Sequence, residues 1–426
     1  MIQQTVLPFK IEITRDTITS HAGLALLGEF CAGLDFLRVI DRSLPKPGSG
    51  AGYMASEYIF PLVLMLNGGG RSLEDMRVIR GDAGLREILP LGRIPSSDAA
   101  GDWLRRMGEG RGLEGLDVVQ RKILKRALKY DEANGYTLDI DATGIEAQKE
   151  SAVMTYKGFT GYMPIVGTLA ENGLVAGDEF REGNQSPGSR NLEFIRYCIQ
   201  QMPRGKRVKA LRADSASYQA DIINFCYKED MGFAIGADLD EAVVRAIKSL
   251  PESEWRPYRG GHIADTVHSM NRTKKAFRLI VVRRSCQQGL FGKEENKRRY
   301  TVIASNRTDA AGVVMDWYHQ RGECSENRIK ELKIGFGMER MPCGQTVANA
   351  VFFRIGSVAY NIYRLFVLKT LDVSWHKHQV QTLRWRLFQT AGKVVDHANR
   401  VYLKVRRGQY ALFEKIRLRI WEFANT

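Results

Sequence analysis

The sequence predicts a mixed α/β protein in which a central sheet is flanked by helical regions at both ends of the chain and carries a β-rich insertion. Three observations predict it. Between Gly135 and Ser305 strand-like segments alternate with helical ones, an order that builds a sheet with helices packed on it. On either side, apolar residues recur at helical spacing. The charge is regional: the segment inside the sheet region and the C-terminal region are basic, and the rest of the chain is close to neutral.

The elements follow in order. Ile18–Arg38 and Met54–Leu66 show apolar residues at helical spacing. Gly68-Gly69-Gly70 breaks the chain, and Ser72 is placed to cap a helix over Leu73–Ile79. Ile94-Pro95-Ser96-Ser97-Asp98 is a second turn-and-cap signal. Short capped helices of this kind fit a helix-turn-helix DNA reader and fit an ordinary bundle equally well. Tyr136–Asp141 alternates apolar and polar residues and reads as a strand. Met163–Leu169 and Leu174–Phe180 read as a hairpin joined at Asn172-Gly173. A helix over Asn191–Met202, a strand over Val208–Ala213, a helix over Tyr218–Tyr227, a strand over Gly232–Gly236 and a helix over Asp240–Leu250 follow. Residues 251–300 read as a β-rich basic insertion, with a strand at Arg278–Arg283 and a polar loop around Gln287–Gly292. Thr301–Ser305 is a strand, followed by helices over Ala310–Tyr318, Glu326–Ile334 and Val347–Leu371. Lys393–Arg406 reads as a basic hairpin, with a terminal helix after it.

The chain has 426 residues, enough for two to four domains at ~100–200 residues each. Its formal charge of +15 favours a polyanionic partner. Gly261–Tyr300 holds ten Lys and Arg against three acidic residues, and Val351–Thr426 holds 14 against four. A charge so confined is what a binding surface needs. Trp375, Trp385, Tyr402, Tyr410, Phe413 and Trp421 are interleaved with the C-terminal cations, and their helical spacing assigns most of them to the core. The longest apolar run, Tyr58–Leu66, is far short of the ~20 residues that span a bilayer. Met1–Asp16 has no apolar signal core. The expected location is therefore cytoplasmic, with no membrane partner. The six cysteines lack close spacing and read as reduced, mostly buried thiols.

Three carboxylates stand out by position. Asp141 ends the first strand, Asp214 ends the Val208–Ala213 strand, and Glu326 opens a helix. Ligands of open α/β sheets gather at the carboxyl ends of strands. Mg2+ is a hard cation that takes oxygen ligands. Two such ions ~3.5–4 Å apart assist phosphoryl transfer by activating the nucleophile and stabilising the leaving oxygen. Each residue also has a plain structural reading: the aspartates as turn or helix caps, Glu326 as a partner of the helix N-terminus. Asp139 falls on the same strand face as Asp141 and is a rival ligand.

The order Asp141, Asp214, Glu326, with a basic β-rich insertion before the glutamate, resembles the DDE transposases of bacterial insertion sequences. Tyr318-His319-Gln320-Arg321, then Glu326 and Lys333, is similar to the Tyr–Arg–Glu–Lys signature of one large group of these enzymes. Together with LDIDATG and LRADSASY, the segment most resembles the insertion-sequence family thirteen-eighty. Arg321 and Glu326 are five residues apart where the signature has four, and Glu323 is a second carboxylate nearby; the spacing of seven to Lys333 selects Glu326.

The resemblance implies an RNase H-like core, divided into residues 131–250 and 301–350. A helical DNA-binding region over 1–130, the insertion over 251–300 and a basic region over 351–426 complete the chain. It implies that Asp141, Asp214 and Glu326 hold two Mg2+ ions, with Mn2+ as a substitute. Tyr318, Arg321, Lys330 and Lys333 would contact DNA, and Trp255 would be a candidate for stacking on a displaced base, core packing being the plainer role for it. The implied activity is cleavage and strand transfer at terminal inverted repeats. The implied partners are double-stranded DNA, of the element ends and the target, and a second copy of the chain in the DNA complex. The implied setting is the bacterial nucleoid. A catalytically silent DNA-binding protein and a repair or resolving nuclease of the same fold are the alternatives.

Overall fold

A computed structural model of the chain describes residues 7, 9–129, 131–284, 300–322 and 326–426. The N-terminal part contains β1 (Thr17–Thr19), α1 (Ala22–Gly33), α2 (Phe36–Ser43), α3 (Ala55–Gly68), α4 (Met76–Gly81), α5 (Ala83–Ile88), α6 (Ser97–Glu109) and α7 (Gly112–Leu128). The helix expected over Ile18–Arg38 is divided. Ile18 belongs to β1, which pairs with a strand near the other end of the chain. Asp35 takes a left-handed conformation (φ 56°) and restarts the chain as α2. The Ser96 cap read from sequence is present, its hydroxyl accepting from Ala99 N; at Ser72 the serine hydroxyl does not cap but donates to Asp75, whose carboxylate accepts from Ser72 N. Both satisfy amides that the first turn of a helix leaves unpaired.

The middle of the chain provides β2 (Gly135–Ala142), β3 (Ile145–Glu146), β4 (Val153–Met154), β5 (Thr160–Tyr162), β6 (Ile165–Leu169), β7 (Val175–Glu179), α8 (Asn191–Gln200), β8 (Arg207–Ala213), α9 (Ala220–Lys228), β9 (Gly232–Gly236), α10 (Glu241–Lys248), β10 (Arg256–Tyr258), β11 (Gly261–His268), β12 (Phe277–Arg284) and β13 (Tyr300–Ser305). The turn between β6 and β7 uses Gly173 at φ 73°, a backbone that other residues rarely adopt, which is why Asn-Gly marks it.

The last part holds α11 (Ala311–Arg321), α12 (Asn327–Lys330), a π-helical turn at Glu331–Gly335, α13 (Thr346–Thr370), α14 (Val380–Leu383), β14 (Gly392–His397), β15 (Arg400–Val405) and α15 (Arg407–Ala424). The loop expected around Gln287–Gly292 lies outside the described residues, as do Cys286, Glu323 and Cys324. Cys31, Cys198 and Cys226 are free, buried thiols.

Among the described residues, nine strands form one sheet in the order β10-β11-β12-β13-β9-β8-β2-β6-β7. β2 is parallel to β8 and β8 to β9, while β2, β6 and β7 run antiparallel. Three antiparallel strands continued by two parallel ones make the RNase H-like order β7-β6-β2-β8-β9. The segment expected as an insertion extends this same sheet: β12 pairs with β13, and β13 with β9.

The two faces of the sheet differ. Gly167 and Gly177 lie against Phe194, Tyr197 and Cys198, so α8 covers one face closely where side chains are missing. The other face carries Asp139, Asp141 and Arg212, with α11 above them. On that face α13 closes the β7 edge. The amide of Asn361 pairs with both backbone groups of Val175, at 2.8 Å each, and Gln120 adds a third bond to the Val175 carbonyl at 2.6 Å. An edge strand tied in this way has fewer free backbone groups to recruit another chain. Helix α13 is long and apolar enough to cross a membrane, but nearly all of it is buried among α3, α6, α7 and α15. The N- and C-terminal regions interlock around it: β1 pairs with β14, and α1 packs on α15.

Candidate active site

The parallel pairing of β2 with β8 builds the site. Asp139 is in register with Arg212. Period-two alternation then places Asp139 and Asp141 on one face, and Arg212 and Asp214 beside them. Asp139, the rival ligand, is fully buried and committed elsewhere: the Arg212 guanidinium grips both its oxygens, at 2.6 and 2.8 Å. Arg212 also donates to the Trp317 carbonyl, which fastens α11 over the sheet.

Asp141 and Asp214 stand at the carboxyl ends of these neighbouring strands. Asp214 also performs the plain turn role, its Oδ1 accepting from Ala216 N at 3.2 Å. Arg321, at the end of α11, reaches in between. Its guanidinium is 3.6 Å from Asp141 Oδ1 and 3.8 Å from Glu326 Oε1. These separations exceed hydrogen-bond length, and Arg321 Nη1 is buried without a hydrogen-bond partner. Arg321 thus lies between Asp141 and Glu326, and it acts on Asp214 electrostatically from further away. Glu326 is the outermost, its side chain 57% exposed against 22% for Asp141.

The electrostatics agree with a site short of positive charge. Burial pushes the Asp141 carboxyl up to about 6; Arg321 opposes the shift, and Asp214 and Glu326 add to it. Burial also raises Asp214, again against Arg321. Arg321 itself loses solvation by burial, but the surrounding carboxylates outweigh this and hold it above its ordinary value. Replacing it tests this balance. Arg321→Met should destabilise the protein by about 1–3 kcal/mol near neutral pH. Without the guanidinium the folded-state pKa of Asp141 rises further, so the loss is present when the carboxylates are ionised. It should shrink away as pH falls through about 6, where Asp141 takes up its proton in the folded wild type. Melting curves of the two proteins across pH check this.

The remaining predicted residues take distinct places. The Tyr318 hydroxyl comes so close to the end of β9 that a Cβ on Gly236 would lie 3.0 Å from it. Tyr318 is partly buried, and burial raises its phenol. Lys333 donates from Nζ to the Gly144 carbonyl, tying the π-helical turn to the chain just after β2. Lys330 is exposed. Trp255 is not at the carboxylates' strand ends: it precedes β10, with the Arg283 guanidinium 4.3 Å from its ring centre. Glu331, another carboxylate of the glutamate helix, is buried and accepts from Val380 N at 2.8 Å.

One contributor escaped the sequence reading. Lys157, exposed in the turn between β4 and β5, acts electrostatically on both Asp141 and Asp214. Only the Tyr156-Lys157-Gly158 turn signal marks it in sequence.

The donor set is all oxygen, the kind Mg2+ and Mn2+ prefer. Among the described residues, no three His, Cys, Asp or Glu side chains stand close enough together to hold an ion. Asp141 and Asp214 fit a hard cation by chemistry and position, and Arg321 lies between Asp141 and Glu326.

The sequence matches the family described as transposase DDE domain group 1 over residues 6–416, nearly its whole length. No curated protein matches it. Among solved structures, it resembles a piggyBac transposase in a synaptic complex with hairpin DNA, with 10% identity and a TM-score of 0.48, over 88% of this chain and 83% of that one.

Proposed function

The chain belongs to the transposase DDE domain group 1 family, and from that premise we propose that it cuts DNA at the terminal inverted repeats of an insertion sequence and joins the freed ends to target DNA. The observation that carries this reading is the pair Asp141 and Asp214 at adjacent strand ends, with the buried Arg321 between Asp141 and Glu326.

Asp141, Asp214 and Glu326 would hold two Mg2+ ions, or Mn2+ in their place. The ions would supply Lewis acidity and neutralise charge as the phosphodiester is attacked. The chain's own groups do the rest. Asp214 keeps one oxygen on Ala216 N, and its other oxygen would serve the ions. The Tyr318 hydroxyl and Arg321 offer donors to phosphate oxygens, Arg321 with a fork suited to two of them, and Lys157 adds positive charge at longer range. Lys330 is exposed and available to the strand backbone. Lys333 positions the loop after β2 through the Gly144 carbonyl, and its ammonium keeps further N–H donors for a phosphate oxygen. Stacking of a base on Trp255 would likewise require Arg283 to leave its ring.

The test uses the DNA that flanks the reading frame. A duplex carrying the outer boundary should be cut there by the purified protein in Mg2+, leaving a 3′-hydroxyl that joins added target DNA. Cutting without joining would favour a repair or resolving nuclease. Binding without cutting in any divalent metal would favour a silent DNA-binding protein.

A further inference from the structure

The C-terminal aromatics depart from the core positions their spacing predicts. Phe413 is buried and Trp375 half-buried, but Trp385 is 82% exposed, Tyr410 59%, Trp421 65% and Tyr402 44%. Tyr402 lies on the β14–β15 ribbon. The two strands are joined by Ala398 and Asn399, both at positive φ (52° and 57°), the two-residue turn that keeps a hairpin tightly twisted. Leu403 and Val405 face the core. Alternation therefore turns Arg400, Tyr402 and Lys404 to solvent, opposite His397, Val395 and Lys393 of β14. On its other edge β14 pairs with β1, while β15 lies at the outside of this small sheet.

The cations from Arg386 to the end of α15 fall into two sets. Lys393, Lys415, Arg417 and Arg419 are paired with Asp16, Asp372, Glu29 and Asp372 at 2.8–2.9 Å. Among the described residues, Arg386, Arg400, Lys404, Arg406 and Arg407 have no carboxylate partner. Arg406 and Arg407 stand at the N-terminal end of α15, where the helix dipole disfavours positive charge. Their position does not serve helix stability. The Arg386 carbonyl accepts from Gln409, which brings Trp385 and Arg386 against the same helix end.

We propose that the β14–β15 ribbon is a DNA-reading element that lays its Arg400–Tyr402–Lys404 face into a groove of duplex DNA, with Arg406 and Arg407 on the flanking phosphates. This rests on the reading of the chain as a DNA-acting transposase and names the surface that grips the duplex away from the carboxylates. Three features select this occupant. A two-stranded ribbon fits the ~12 Å major groove. Six residues per strand reach about 20 Å, enough to follow it across several base pairs. A twofold contact with a second copy would place these unpartnered cations against their own equivalents, which like-charge repulsion opposes.

The experiment measures binding of the full chain to a short mixed-sequence duplex, and to one of its single strands, over a range of salt. Arg400→Gln/Lys404→Gln should weaken duplex binding about tenfold and lower the salt slope by about 1.8, at ~0.9 for each phosphate no longer neutralised. The charge-matched Lys415→Gln/Arg417→Gln, which removes paired cations, should leave the slope at the wild-type value. Tyr402→Ala should weaken duplex binding with the slope unchanged. Melting curves establish that each variant is folded. Equal slope reductions in the two double variants, or no reduction in either, would overturn the proposal. So would tighter binding of the single strand that depends on Tyr402. If the wild type binds no duplex at all, the transposase reading itself fails; if it binds and the ribbon variants match it, only the ribbon assignment fails.

Discussion

Asp141→Asn is expected to make the metal-free protein more stable while abolishing its Mg2+-dependent cutting. The carboxylate is three-quarters or more withdrawn from solvent, and its pKa is pushed up from 3.8 to about 6. An acid with a raised folded-state pKa is held protonated by the fold. Stability is therefore lost as pH rises from 3.8 to about 6, and the cost stays in full above that. At ~1.4 kcal/mol per pKa unit, the cost near neutral pH is at most about 3 kcal/mol. The amide keeps the shape and removes the charge. The stability difference between variant and wild type should be near zero below about pH 4 and grow as pH rises towards neutrality. Melting in chelator across pH measures it. Addition of Mg2+ should raise the wild-type melting temperature and leave that of the variant unchanged, because a ligand stabilises only a state that binds it. A variant less stable than wild type at neutral pH would mean that Asp141 serves structure, in the way Asp139 does.

Arg354→Met should be the most damaging single change outside the site, costing about 3–5 kcal/mol. Arg354 sits in the middle of α13, buried. Its Nε and Nη2 donate to the carboxylate and carbonyl of Asp178, both at 2.7 Å, and Nη1 donates to Asp117. Tyr197 completes the group, its hydroxyl 2.8 Å from Asp117. Methionine fills much of the volume but leaves Asp178 buried without its counter-charge. Arg354→Met/Asp178→Asn should recover a large part of the stability, since the penalty belongs to the stranded carboxylate rather than to the missing hydrogen bonds. Denaturant unfolding of the two variants separates these terms. The position also matters for the site. Asp178 pairs with Val166, and Val166 with Asp141, so the buried cluster holds the same row of the sheet that ends in the candidate ligand.

Much of this was legible because it depends on neighbours in sequence. The alternation in Tyr136–Asp141, the Asn172-Gly173 turn and the Ser96 cap each act over a few residues, and each appears where its pattern places it. What depended on distant partners was not. Nothing local could show that β12, expected within an insertion, pairs with β13 and so extends the central sheet. Asp139 and Asp141 have the same alternation; the difference between them comes from Arg212, on another strand. In α15 the core residues Phe413, Ile416, Ile420 and Phe423 follow helical spacing, and so do the exposed Tyr410, Leu418 and Trp421. Period alone cannot say which stripe meets the core, and helix packing decides it. The order of the carboxylates was legible, but the cation between Asp141 and Glu326 was not. Arg321 was read as a DNA contact, and its neutralising role depends on three elements meeting.

The most direct measurement is single-turnover cutting of a duplex bearing an element end in Mg2+, by wild type, Asp214→Asn and Glu326→Gln, with duplex affinity determined on the same samples. Both variants should bind the duplex with nearly wild-type affinity. Their cutting should fall about a thousandfold or more, equivalent to ~4 kcal/mol of transition-state stabilisation. Cutting at the wild-type rate by either folded variant would contradict a centre built from Asp141, Asp214 and Glu326.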